Sequence, residues 1–292
     1  MIWLSLSILC STLIFILFKI FPRYGVSNLQ AIVINYFAAF AVGMMSGDFS
    51  FEPLELTAKP WFTSIIILGF LFISLFQLMA IVSQTFGVAA VSVAVKMSLV
   101  IPVVFAVVYY SEAMGPLKLL GIILALVAVY FATRKPSATK GHPGLIWLPV
   151  LLFLGSGFLD SFLKYNQREL VPISEHAYFT SLIFLTAAVI GVFWWVFSAI
   201  SRKASPPRWQ NILAGIALGV PNYGSIYFLI KALDMHNLES SVIFPVNNVG
   251  IVALSVICAR ILFNENLSRY NVIGVILAML SIALMTFVNL YP

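Results

Sequence analysis

Lys96 stands in the middle of an apolar run, VSVAVKMSLVIPVV, about nine residues and roughly 13 Å of helix rise from the nearer end of a stretch long enough to cross a bilayer. A lysine at that depth costs about 2.5–3.5 kcal/mol on insertion scales, so it normally faces a water-filled cavity or a partner. Facing a cavity, its ammonium would attract a carboxylate or phosphate. The bland alternatives are a structural ion pair and snorkelling of the ammonium to an interface. Snorkelling is strained so far from either end.

Uncharged polar residues recur at similar depths in other apolar runs. Asn247 and Asn248 follow Pro245, Asn222 and Tyr223 follow Pro221 with Tyr227 one turn on, and Gln77 and Asn35 sit in mid-run. A proline inside a membrane helix frees a backbone carbonyl, which is tolerated where neighbours or cavity water satisfy it. Together with Lys96, these side chains are the candidate substrate-binding set. Singly, each could instead join helices, at about 0.6 kcal/mol apiece. Asp160 and Lys164, four residues apart on one helix face, form an internal ion pair or a proton-coupling pair. Lys19 lies near the end of the first run and reads as interfacial.

The elements that must position these residues are membrane helices. The 292-residue chain is 62% hydrophobic and 9% charged, with a mean hydropathy of +1.05, whereas ordinary globular chains carry about 25% charged residues. Continuous apolar runs predict ten helices, near 2–21, 27–46, 62–83, 87–110, 116–134, 144–165, 174–200, 209–233, 239–262 and 269–290. Barrel strands would alternate over about ten residues instead. The fold class is therefore an all-α, multi-pass membrane protein, expected in a bacterial inner membrane with lipid around it. The net charge of +6 lies mostly in short connections, which excludes a nucleic-acid partner.

No cofactor is expected, and no metal: the histidines are scattered, and the acidic residues form no aspartate-rich cluster. HExxH, Gly-x-Ser-x-Gly, Walker and CxxC patterns are absent, so no catalytic residue is assigned and an enzyme is not expected. Cys10 and Cys258 fall inside apolar runs, which argues against a disulfide framework.

The chain also says nearly the same thing twice. EAMGPLKLLGIILALVAVY (112–130) and ENLSRYNVIGVILAMLSIA (265–283) each lead from a Glu to a Gly that opens an apolar run, and the blocks ending at Lys19 and Lys164 also align. Two halves follow: 1–134, a linker loop at 135–143, and 144–292. With five spans per half, the second half is inverted relative to the first, the plan of many secondary transporters. Glu112 and Glu265 read as N-terminal residues of the helices that follow them, with Pro116 and Ser268 as local start signals. Gly215 and Gly219 form a GxxxG that permits close helix approach. Lys and Arg concentrate in loops after odd-numbered spans, which places both termini outside.

Pro102, Glu112 and Gly121, repeated at Glu265 and Gly274, resemble the end of the repeat in EamA-type members of the drug/metabolite transporter superfamily. Ser255 replaces the second proline, and Cys10-Ser11-Thr12 stands where a tryptophan-glycine element is often found. The resemblance spans essentially the whole chain. It implies two inverted five-helix repeats, a central cavity, alternating access for small metabolites, and cytoplasmic termini. The expected function is a permease or exporter of a small polar or anionic metabolite, as a monomer or homodimer. The alternatives are a lipid-carrier flippase on the same fold, or an intramembrane lipid-modifying enzyme using Asp160, Lys164 and His176.

Overall fold

A computed structural model describes residues 2–45, 56–109, 115–133, 145–201, 208–233 and 240–290, which are almost entirely helical. Apolar runs with no water to satisfy their backbone must close their own hydrogen bonds, and a helix does this within one segment. In chain order the helices are α1 (Ile2–Ile20), α2 (Asn28–Met45), α3 (Phe62–Phe86), α4 (Val88–Met97), α5 (Val100–Tyr109), α6 (Pro116–Thr133), α7 (Trp147–Glu169), α8 (His176–Ile200), α9 (Trp209–Leu233), α10 (Ser240–Phe263) and α11 (Arg269–Leu290). Each expected span coincides with helix. Among the described residues, eight stretches are long and apolar enough to cross a membrane, with α4 and α5 together making one of them. The apolar stretches of α6 and α11, Leu119–Ala132 and Arg269–Leu284, are shorter. Glu112, the expected linker loop 135–143 and the basic residues Arg134, Arg202 and Lys203 of the connections lie outside the described residues.

The chain divides into two compact units, each drawing on both sequence halves: Met1–Lys19, Leu78–Phe158 and Gly224–Pro292 form the first, Ile20–Gln77 and Leu159–Tyr223 the second. In the first, α6 and α11 lie antiparallel and very close. Ser281 Oγ donates to the Gly121 carbonyl at 2.7 Å and Asn271 Nδ2 to that of Ala132 at 2.9 Å. Gly274 permits this approach, because a Cβ there would stand 2.4 Å from the Ala132 nitrogen. The α6–α11 pair, α4 and α10 share a core that includes Val93, Met97, Ala125, Val252 and Ala278.

In the second unit, α2 and α8 run antiparallel, with Gly43 against Ser181 and Gly191 against Val33. Gly215 and Gly219 pack on α2, where their missing Cβ atoms admit Ile34 and Ala38, so the partner of the GxxxG is α2. Tyr36, fully buried, donates from its hydroxyl to the Phe72 carbonyl at 2.9 Å and stacks on Phe184. Before α8, the Glu175 carboxylate is held by Lys59 Nζ at 2.8 Å and by the indole N–H of buried Trp61 at 3.0 Å. The hydrogen bond from Lys59, helped by that from Trp61 and by the ammonium's charge, keeps the Glu175 carboxyl below its usual range against a partial desolvation cost.

Candidate functional site

The span that carries Lys96 is broken immediately after it. α4 ends at Met97, Ser98 and Leu99 form a turn, and α5 starts at Val100. Pro102 supplies the reason. It has no N–H for the Ser98 carbonyl, and its ring crowds that carbonyl out of a regular helix. The Ser98 carbonyl instead takes the Ile101 N–H at 2.9 Å, and Ser98 Oγ folds back to donate to the Val95 carbonyl at 2.6 Å. Lys96 therefore belongs to the last turn of a short helix. There the partial negative charge of the helix C-terminus favours an ammonium. Lys96 is half-buried and has interactions of its own. The expectation of one continuous helix over 87–110 is corrected to two half-helices, and Pro102 was the sequence signal for it.

α10 packs beside α4 and turns three faces to its surroundings. Val249, Val252 and Val256 join the core around Met97 and Val100. Ile243 and Gly250 meet α1, through Leu4 and Ile8. Asn247, Ile251 and Ser255, spaced by four, share the third face, and all are buried. Asn247 Oδ1 and Ser255 Oγ there have no hydrogen-bond partner among the described residues, nor does Thr12 Oγ1 on α1. A buried polar atom left unpaired costs about 1–3 kcal/mol, so this unit holds unfilled hydrogen-bonding capacity that water or a polar ligand would satisfy. Asn248, next to Asn247, is half-buried.

The other end of α4 is also polar. Gly87, with φ +100°, joins α3 to α4 and offers no side chain to cap the new helix. Glu265 takes that role from the connection between α10 and α11: its Oε1 accepts the Val88 N–H at 3.1 Å and lies 3.4 Å from Lys19 Nζ. Lys19 also donates to the Gln84 carbonyl at 3.4 Å. The expectation that Glu265 serves its own following helix is corrected. α11 is started by Ser268, whose Oγ accepts the Asn271 N–H at 3.2 Å, as its local signal implied. Lys19 is an ion-pair partner, with its side chain 21% exposed, and is no merely interfacial lysine.

In the second unit the structure brings together Asn35 and Asn222. Asn222 Nδ2 donates to Asn35 Oδ1 at 3.1 Å, and both residues are buried. Asn35 Nδ2 remains unpartnered among the described residues, as does the buried Oε1 of Gln77. Tyr223 is half-buried. Asp160 and Lys164 are both exposed. At 100° per residue they lie about 40° apart on one side of the helix, with the exposed apolar Val150 beside Lys164 and Leu151 and Phe158 farther round. Tyr227, in the first unit, is exposed, with the Lys231 ammonium 5.8 Å from its ring centre. His176 Nε2 sits between the carbonyls of Gln167 and Val171, at 3.0 and 3.1 Å.

No protein-family model matches the chain. A protein of Haemophilus influenzae (strain Rd), described as uncharacterized, is 25% identical over 292 residues, covering 96% of this chain and 95% of its own. A solved chain described as "Crystal structure of protein" superposes with a TM-score of 0.60 at 16% identity, covering 97% of this chain and 98% of that one. The helical arrangement is thus similar to an experimentally solved one along essentially the whole chain.

Proposed function

We propose that this chain is a secondary transporter, of the EamA-like kind, that carries a small polar or anionic metabolite by alternating access across a bacterial inner membrane. The observation that carries this reading is the break in the fourth span directly after Lys96, beside a helix with a buried Asn247 whose Oδ1 has no partner among the described residues. Discontinuous helices near the midplane are where transporters of inverted-repeat design hold substrate. The doubled sequence pattern supplies that design within one copy, so a monomer suffices. Within the first unit, Lys96 provides charge and Asn247 and Asn248 orient the substrate. The exposure of Asp160 and Lys164, one turn apart on α7, supports a proton-coupling role for that pair.

The test is uptake into proteoliposomes across a panel of radiolabelled amino acids, other carboxylates and phosphorylated metabolites. Wild-type protein accumulates at least one anionic member of the panel, and Lys96→Ala abolishes that uptake while keeping wild-type thermal unfolding. Full uptake by a folded Lys96→Ala variant would sink the assignment of Lys96, and no uptake of any compound by the wild type would sink the transporter reading.

A further inference from the structure

We propose that Glu265 is a positioning residue: it caps α4 from a distant part of the chain and so fixes how Lys96 is presented. The inference rests on reading Lys96 as the substrate-facing cation. α4 has ten residues, too few to be held by its own hydrogen bonds, and its first N–H groups lack partners inside the helix. Gly87 cannot supply a capping side chain, and the space where one would begin is filled by the Glu265 carboxylate.

That carboxylate does three things at once. It accepts the Val88 N–H, it places negative charge at the positive end of the helix, and it pairs with Lys19. Lys19 in turn donates to the Gln84 carbonyl in the last turn of α3. The ion pair therefore ties the end of α3 to the start of α4 across the glycine joint. Ser83 Oγ and Gln84 Nε2 strengthen the same corner by donating to the Phe15 and Phe18 carbonyls of α1, both at 2.9 Å. A rigid ten-residue helix held at its first turn carries its last turn, and Lys96, with it.

The experiment uses the full chain in nanodiscs. Amide hydrogen exchange is followed on peptides covering 84–97, and the acetylation rate of Lys96 by a water-soluble succinimidyl ester is followed with exposed Lys164 as reference. Glu265→Ala should speed exchange in the first turn of α4 about five-fold, the fold-change of a lost helix cap, and change the labelling of Lys96 but not of Lys164. Glu265→Gln, which keeps one acceptor oxygen, should fall between, and it is the variant read if Glu265→Ala does not fold.

The exchanged pair Lys19→Glu/Glu265→Lys restores an ion pair but puts a cation at the helix N-terminus, so it should not rescue exchange. Rescue by that pair would overturn the cap, and so would wild-type exchange and Lys96 labelling in the single variants. Exchange that responds to Glu265 in a protein that transports nothing upholds the cap and removes only the transport reading. Uptake that depends on Lys96 while exchange and labelling ignore Glu265 removes only the cap.

Discussion

Glu265 and Lys96 mark opposite ends of the same ten-residue helix, the carboxylate on the Val88 N–H and the lysine within the last turn. Each charge complements the helix end it meets, an effect worth about 0.3–1 kcal/mol at a surface and up to about 2 kcal/mol in partly buried sites. In this arrangement a charged residue in mid-span becomes tolerable, because the half-helix behind it absorbs part of its cost. It also makes α4 a separately held piece, joined to α3 by Gly87 and to α5 by the Ser98–Leu99 turn.

Gly87→Ala should be strongly destabilising. Its φ of +100° and ψ of 168° lie in a region that is essentially glycine's alone, where another residue costs about 1–3 kcal/mol. A Cβ would also stand 2.4 Å from Glu265 Oε2 and displace the cap, worth about 1 kcal/mol more. Thermal unfolding in nanodiscs should show a combined loss of about 2–4 kcal/mol, and a near-wild-type midpoint would contradict the glycine-joint argument.

Gly274→Ala and Gly115→Ala should differ sharply, although both glycines belong to the repeated block. At Gly274 the new methyl would meet the Ala132 backbone at 2.4 Å and the Ala128 carbonyl oxygen at 2.9 Å, so α6 and α11 would have to separate. Overpacking of this kind costs about 1–3 kcal/mol. Gly115 has nothing within 4 Å, and its replacement should be neutral or stabilising by up to about 1 kcal/mol. Equal shifts in unfolding midpoint for the two variants would refute the close approach of α6 and α11.

Asn35 and Asn222 should be energetically coupled. A double-mutant cycle of Asn35→Ala and Asn222→Ala, read by unfolding, should give an interaction energy of about 0.6–1.7 kcal/mol, the range for side-chain hydrogen bonds between membrane helices. Strictly additive losses would mean that the 3.1 Å contact contributes nothing.

Glu175 should make stability pH-dependent. Its folded carboxyl titrates below the usual 4.5 because Lys59 and Trp61 favour the charged form. The resulting stabilisation is fully present above about pH 4.5 and is lost as pH falls through the lowered folded value. Wild type should exceed Glu175→Gln in unfolding midpoint at pH 7, and the gap should close on acidification. A gap that persists well below pH 4 would show that the glutamate stabilises by means other than its charge.

The positions of the helices, the Ser268 start of α11 and the close helix approach at Gly215 and Gly219 were legible in the sequence. Each depends on properties carried within a short stretch: hydropathy over about 20 residues, a hydroxyl at a helix start, a missing Cβ. The break after Lys96 was not expected, although its signal, Pro102, is equally local, since a proline disturbs the carbonyl four residues before it. The role of Glu265 was not legible. Its partner Val88 lies 177 residues away, and a carboxylate at a span edge suits any nearby helix N-terminus equally well. Asn35 and Asn222 were readable as polar residues in mid-span, but their pairing across 187 residues was not.

The sequence by itself determined that this chain is a multi-pass membrane protein, because apolar runs in hydrocarbon have little choice but to be helices. Only the tertiary structure decided which charge meets which helix end and which amide finds a partner. Those choices depend on side-chain packing between distant segments, through which the Glu265 carboxylate comes to fill the space that Gly87 leaves open.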